Sequence, residues 1–156
     1  MAKRTDTATR MIPARPEALF AASIDPDAVA VWLPPKGMKA RVERFEPRPG
    51  GAFDLVLTYA SGPNAAAKST EASDVVRGRF VALDPPHQLV QEVAFASDDP
   101  GYAGTMRMTW DFLPSGDGTE ARITARNVPE GISAEDHATG LASTLENLAE
   151  YVASRA

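Results

Sequence analysis

The chain has 156 residues, 44% of them apolar and 24% charged, which is enough to build one globular domain around its own core and too little for two full domains. A formal net charge of −5 argues against nonspecific attraction to nucleic acid or to an anionic membrane. Cysteine is absent, which excludes disulfides, thiolate catalysis and Cys-ligated zinc and fits a reducing compartment.

Lys3 and Arg4 lead into Thr5-Asp6-Thr7-Ala8-Thr9-Arg10 rather than into the apolar run of a secretory signal, so a cytoplasmic location is expected. The Thr-rich stretch from Thr5 to Ile12 suits a first strand, ended by Pro13. Pro16 followed by Glu17-Ala18-Leu19-Phe20-Ala21-Ala22 predicts a helix, with the proline and the early carboxylate both favourable at its start. Asp25-Pro26 breaks it and opens a second short helix, Asp27 to Leu33, which Pro34-Pro35 ends.

After Gly37 the apolar period becomes two. Strands are predicted over Met38 to Phe45, Phe53 to Tyr59, Val75 to Leu83, Leu89 to Phe95, Thr105 to Phe112 and Thr119 to Asn127. Ala60 to Ser73, small and polar, reads as a long surface loop. The longest run without an acidic or basic residue, Leu55 to Ala67, contains Gly62, Pro63 and Asn64 and is shorter than the ~20 apolar residues of a membrane span. In the clearest strand Met106, Met108, Trp110 and Phe112 share one face, opposite Thr105, Arg107, Thr109 and Asp111. Arg77 and Arg79 fall on the outer face of their strand and Val76, Gly78 and Phe80 on the inner one. The short turns between strands predict an antiparallel sheet.

Ser133-Ala134-Glu135-Asp136 resembles a capping box with Asp in place of Glu, and a helical period follows. Ala138, Leu141, Leu145, Leu148 and Val152 form its apolar stripe, with Ser143, Glu146, Asn147 and Glu150 facing away. This helix needs a partner, and a strongly curved antiparallel sheet wrapped around it supplies one. The expected fold is therefore α+β, a β-α-α-β6-α helix-grip with seven strands in a single domain over residues 1–156. Between sheet and helix such a fold leaves room for a cavity, which Gly78, Ala121 and Ala125 on the inward faces would enlarge.

The run Ile12-Pro13-Ala14-Arg15-Pro16-Glu17-Ala18-Leu19-Phe20, with Asp25-Pro26 and Trp32-Leu33-Pro34-Pro35, resembles the opening of the SRPBCC superfamily, also called START-like or birch-pollen-allergen-like. Arg48-Pro49-Gly50-Gly51-Ala52-Phe53, Gly78-Arg79-Phe80, Pro85-Pro86-His87-Gln88-Leu89-Val90 and Gly118-Thr119-Glu120-Ala121-Arg122-Ile123 resemble the branch related to the C-terminal domain of the heat-shock protein 90 ATPase activator. Gly140-Leu141 with Leu145 and Leu148 extends the likeness over nearly the whole chain. Many relatives carry Trp at the position of Leu141, so a pocket beside the long helix would be reshaped here. The resemblance implies a helix-grip fold with a hydrophobic ligand cavity and does not name the ligand.

The chain has two histidines, and no Gly-x-Ser-x-Gly, His-Glu-x-x-His or phosphate-cradling loop, so no metal, cofactor or catalytic motif is expected. His87 reads as a turn residue. Glu135-Asp136-His137 reads as acids placed by the helix dipole, and Asp98-Asp99 as a solvated turn. Gln91 is different: the parity of Leu89, Val93 and Phe95 puts its amide on the apolar face, where it needs a partner from the backbone, water or a ligand. The leading reading is a binding domain for a small hydrophobic or aromatic molecule. Its expected cavity-lining residues are Trp32, Phe53, Leu55, Phe80, Gln91, Met106, Met108, Trp110, Leu141 and Leu145. A second reading, resting on the resemblance, is a regulator of a heat-shock protein 90 homologue, although 156 residues leave no room for the activator's additional N-terminal domain. A third is a cyclase, aromatase or dehydratase acting in the same cavity, for which one acid or base would suffice.

Overall fold

A computed structural model describes residues 4–34, 37–59, 73–97 and 99–155. In chain order these form β1 (Arg4–Ile12), α1 (Pro16–Ser23), α2 (Pro26–Trp32), β2 (Met38–Phe45), β3 (Ala52–Tyr59), β4 (Ser73–Asp84), β5 (Gln88–Phe95), a 3-10 turn (Pro100–Tyr102), β6 (Met106–Ser115), β7 (Gly118–Val128) and α3 (Ala134–Ser154). The order agrees with the sequence expectation, with strand ends moved by at most three residues. The expected loop falls, except for Ser73, outside the described residues, as does Asp98 of the expected acidic turn.

The seven strands form one antiparallel sheet in the order β1-β7-β6-β5-β4-β3-β2, so the first strand joins the last and β1 and β2 are its free edges. The register shifts between Arg4 and Asp6, Val42 and Arg44, and Phe80 and Ala82. Such bulges bend a strand and add twist, which accounts for the curvature of the sheet. At Gly78 the neighbouring strand passes so close that a methyl group would collide with the backbone carbonyl of Glu92, which is why β4 carries no side chain there.

The helices cover the inner face of the sheet. Pro16 starts α1, and the Asp25 side chain caps α2 by accepting from the backbone N–H of Asp27 at 2.9 Å. Ser133 caps α3 by accepting from the Asp136 N–H at 3.0 Å, as its sequence suggests. Leu141, Leu145, Leu148 and Val152 are buried along α3, whereas Ala138 is exposed and does not belong to the stripe. Burial of the three leucines contributes on the order of 5–9 kcal/mol as an upper bound. They join one core cluster with Ile12 and Leu19, with Phe80, Phe112 and Ile123 on the sheet, and with Trp32 and Trp110. Among the described residues no helix is long and apolar enough to cross a membrane.

Candidate functional site

The inner face of the sheet is densely packed. Phe45, Phe53 and Phe80 make a triangle of ring contacts with centroids 5.2–5.5 Å apart. Trp32 of α2 meets Trp110 of β6 edge to face, 5.6 Å apart at 82°. Between α2, the end of α1 and strands β3, β5 and β6 lies a partly open cleft of about 10 Å³, lined by Ser23, Val29, Trp32, Leu33, Phe53, Leu89, Gln91 and Trp110. That volume holds about one water molecule.

Of the residues expected to line a cavity, Trp32, Phe53, Gln91 and Trp110 meet at this cleft. Leu55, Phe80, Met106, Met108, Leu141 and Leu145 lie in or against the surrounding core and not in the wall of the cleft. Ser23, Val29, Leu33 and Leu89 are wall residues that the sequence reading did not single out. Their signal is weak, because Ser23 reads as an ordinary helix end and the other three as ordinary core.

Gln91 is 5% exposed, in agreement with its strand parity. Its Oε1 accepts from Trp110 Nε1 at 3.0 Å, which fixes the amide orientation because indole can only donate. The Gln91 Nε2 makes no hydrogen bond among the described residues. Every fully buried side-chain polar atom among them has a partner, so this nitrogen is not fully sealed from solvent, and Gln91 lines the cleft. Trp32 Nε1 donates to Ala22 O at 3.0 Å and Ser23 Oγ to Leu19 O at 2.8 Å, tying the other polar wall groups to α1. The site therefore consists of two tryptophans, a phenylalanine, aliphatic side chains and one amide N–H pair available to an acceptor.

A clasp closes one side of this arrangement. Thr144 Oγ1 on α3 donates to Leu33 O at 3.0 Å, and Asn147 Nδ2 to Pro34 O at 2.9 Å, so two side chains of the long helix hold the end of α2. A second polar cluster lies at the other end of α3. There Asp6 accepts from Arg4 Nε at 2.8 Å and lies 2.7 Å from His137 Nδ1, while Arg4 also donates to Ile132 O at 2.7 Å. The Arg4 guanidinium, and to a lesser degree His137, hold the Asp6 carboxyl below the usual carboxylate range against the opposing effect of burial. His137 is thus part of a hydrogen-bonded link between β1 and α3, which its sequence neighbours Glu135 and Asp136 did not suggest. His87 is an exposed turn residue, and Asp99 caps the 3-10 turn by accepting from the Gly101 N–H at 2.8 Å. Among the described residues no cluster of three His, Cys, Asp or Glu side chains could hold a metal ion.

Residues 13–153 match the model of the family described as Activator of Hsp90 ATPase homolog 1-like protein. A protein of Chromobacterium violaceum of known structure is 28% identical, with a TM-score of 0.83 over 95% of this chain and 96% of that one. A Rhodobacter sphaeroides protein is 24% identical, with a TM-score of 0.79 over 100% and 99% of the two chains. The AHSA1 protein from Silicibacter pomeroyi is 19% identical, with a TM-score of 0.79 over 98% and 100%. The last two likenesses show a shared fold. No curated protein matches the chain by sequence.

Proposed function

The chain belongs to the family of Activator of Hsp90 ATPase homolog 1-like proteins, and from that premise we propose that it binds a small hydrophobic or aromatic molecule at the cleft between Trp32, Trp110 and Gln91. The observation that carries this reading is the Gln91 amide: nine-tenths buried, fixed by Trp110, with no partner for its N–H pair among the described residues, and lining a largely apolar cleft. A guest with a carbonyl, phenol or ether oxygen would accept from that amide while its apolar body replaced water against the indoles.

Ligand sites are typically ~300–1,000 Å³, so the cleft must widen to accept such a guest. The α2 helix is the element to move, being a single short helix held from α3 by two side-chain hydrogen bonds. Phe80, Leu55, Met106, Met108, Leu141 and Leu145 would then become walls of the enlarged space. Titration with 1-naphthol, followed by tryptophan fluorescence and thermal unfolding, tests the reading. Quenching with a raised midpoint, both weaker for naphthalene, is the expected result; a panel of aromatic alcohols and ketones that gave neither signal would overturn it.

The family description favours a second reading, regulation of a heat-shock protein 90 homologue. An ATPase assay of the bacterial homologue with and without this protein tests that reading, and an unchanged rate together with no binding would dismiss it.

A further inference from the structure

The strands carry both signs of charge, ten Lys or Arg and eight Asp or Glu, whereas the helices carry one. The three α-helices carry Glu17, Asp27, Glu135, Asp136, Glu146 and Glu150 and no Lys or Arg. Most of the described basic residues lie on the strands, and those at the centre of the sheet's outer face are arranged in a line. Arg79 of β4 is opposite Glu92 of β5, Glu92 is opposite Arg107 of β6, and Arg107 is opposite Arg126 of β7. Arg77 lies two residues along β4 from Arg79, on the same face and opposite Asp54 of β3.

Glu92 organises this row. Arg79 donates to its Oε1 at 2.6 Å and Arg107 to its Oε2 at 3.1 Å, so one carboxylate fixes two guanidiniums. Both remain open to solvent, with side chains 62% and 47% exposed, and each keeps N–H donors that Glu92 does not use. Arg126 has no carboxylate partner among the described residues, although it stands directly across from Arg107. Like charges directly opposite on neighbouring strands destabilise a sheet. Three arginines against one glutamate in a single row, on a chain of net charge −5, thus form a local cationic feature that folding does not require.

We propose that the row Arg79, Glu92, Arg107 and Arg126 is a docking surface for an extended acidic segment of a partner polypeptide, with its carboxylates at alternating positions. Adjacent strands lie ~4.8 Å apart, so the row spans about 14 Å across β4 to β7. Along an extended peptide, side chains on one side recur every ~6.8 Å, so three alternating carboxylates span about the same length. Pairing with Arg is bidentate and favours carboxylates held at fixed spacing. A short acidic segment feels chiefly the local row, because charges beyond ~8 Å are screened at physiological salt. A long nucleic acid would instead feel the acidic whole.

Fluorescence anisotropy with a labelled peptide carrying three glutamates at alternating positions tests the proposal on the full chain. Binding is expected to weaken with salt and to be lost with the glutamine version of the peptide. Arg126→Gln and Arg107→Gln should each weaken it about three- to tenfold. Arg155→Gln, which removes the same charge from the C-cap of α3, should leave it unchanged. The Arg126 side chain makes no hydrogen bond among the described residues and faces Arg107, so its variant should keep at least the wild-type unfolding midpoint, and a loss of binding would not come from unfolding. No binding, equal binding of the glutamine peptide, equal weakening by Arg155→Gln, or displacement of the peptide by an oligonucleotide of matched charge at equal concentration would each overturn the proposal.

Discussion

Gln91 and Trp110 form a buried polar pair whose two halves depend on each other. Replacing Gln91 by Leu keeps the approximate volume but leaves the indole N–H of Trp110 without its acceptor at 3.0 Å. We expect Gln91→Leu to cost about 1–3 kcal/mol in urea unfolding, and Gln91→Glu to cost at least as much at neutral pH because it also buries a charge. The strand parity of Gln91 was readable from the alternation around it. Its partner was not, because pairing it with Trp110 requires the β5–β6 register. Asp6 and His137 illustrate the same limit over a longer distance: they are 131 positions apart, and no local pattern in either segment points to the other. The Asp6 carboxyl is held low, chiefly by Arg4. Its contribution to stability is therefore full above the unfolded-state value of ~3.9 and is lost as pH falls through the lower folded-state value. Asp6→Asn should be less stable than wild type at pH 7, with the difference shrinking as pH drops below ~3.9 in a series of urea titrations.

At the scale of elements, α3 both packs on the core and controls α2. Thr144→Val combined with Asn147→Leu removes both bonds to the carbonyls of Leu33 and Pro34. The pair should lower stability by about 1–3 kcal/mol. If the cleft opens by movement of α2, the same double variant should bind 1-naphthol more tightly, because less of the binding energy is spent on opening. Gly140 lies within α3 with nothing within 4 Å of the place a Cβ would occupy. Gly140→Ala should therefore stabilise the protein by about 0.5–1 kcal/mol, seen as a higher thermal midpoint. Elements of this kind were legible because period two and period 3.6 are imposed by burial on one side, and β6 and α3 follow them closely. Ala138 misled because an alanine fits either side of a helix, so its place in the stripe rested on spacing alone. The bulges in β2 and β4 left no sequence signal, since each is a one-residue slip in pairing and not a change in residue type, and the one in β7 is marked only by Asn127 at a φ of 61°.

For the whole molecule, the topology makes the two ends of the chain depend on each other. β1 is completed only by β7, and β1 and α3 are then linked through Asp6 and His137. The inner sheet face and all three helices share one hydrophobic cluster, from Ile12 on the first strand to Val152 on the last helix. Strands and helices bury their apolar faces in that same cluster, Leu141, Leu145 and Leu148 of α3 among them, so they lose them together. The described residues should therefore unfold as one unit. Unfolding in urea followed by far-ultraviolet circular dichroism reports on the sheet and helices, while the fluorescence of Trp32 and Trp110 reports on the contact between α2 and β6. The two curves are expected to coincide in a single transition. An earlier fluorescence transition would mean that α2 leaves the sheet before the sheet unfolds. That result would divide the fold into a stable grip and a separable flap over the cleft. Refolding should be slow, in the millisecond-to-second range, because the β1–β7 pairing joins segments more than a hundred residues apart before the core can close. A stopped-flow fluorescence trace completed in microseconds would contradict that dependence.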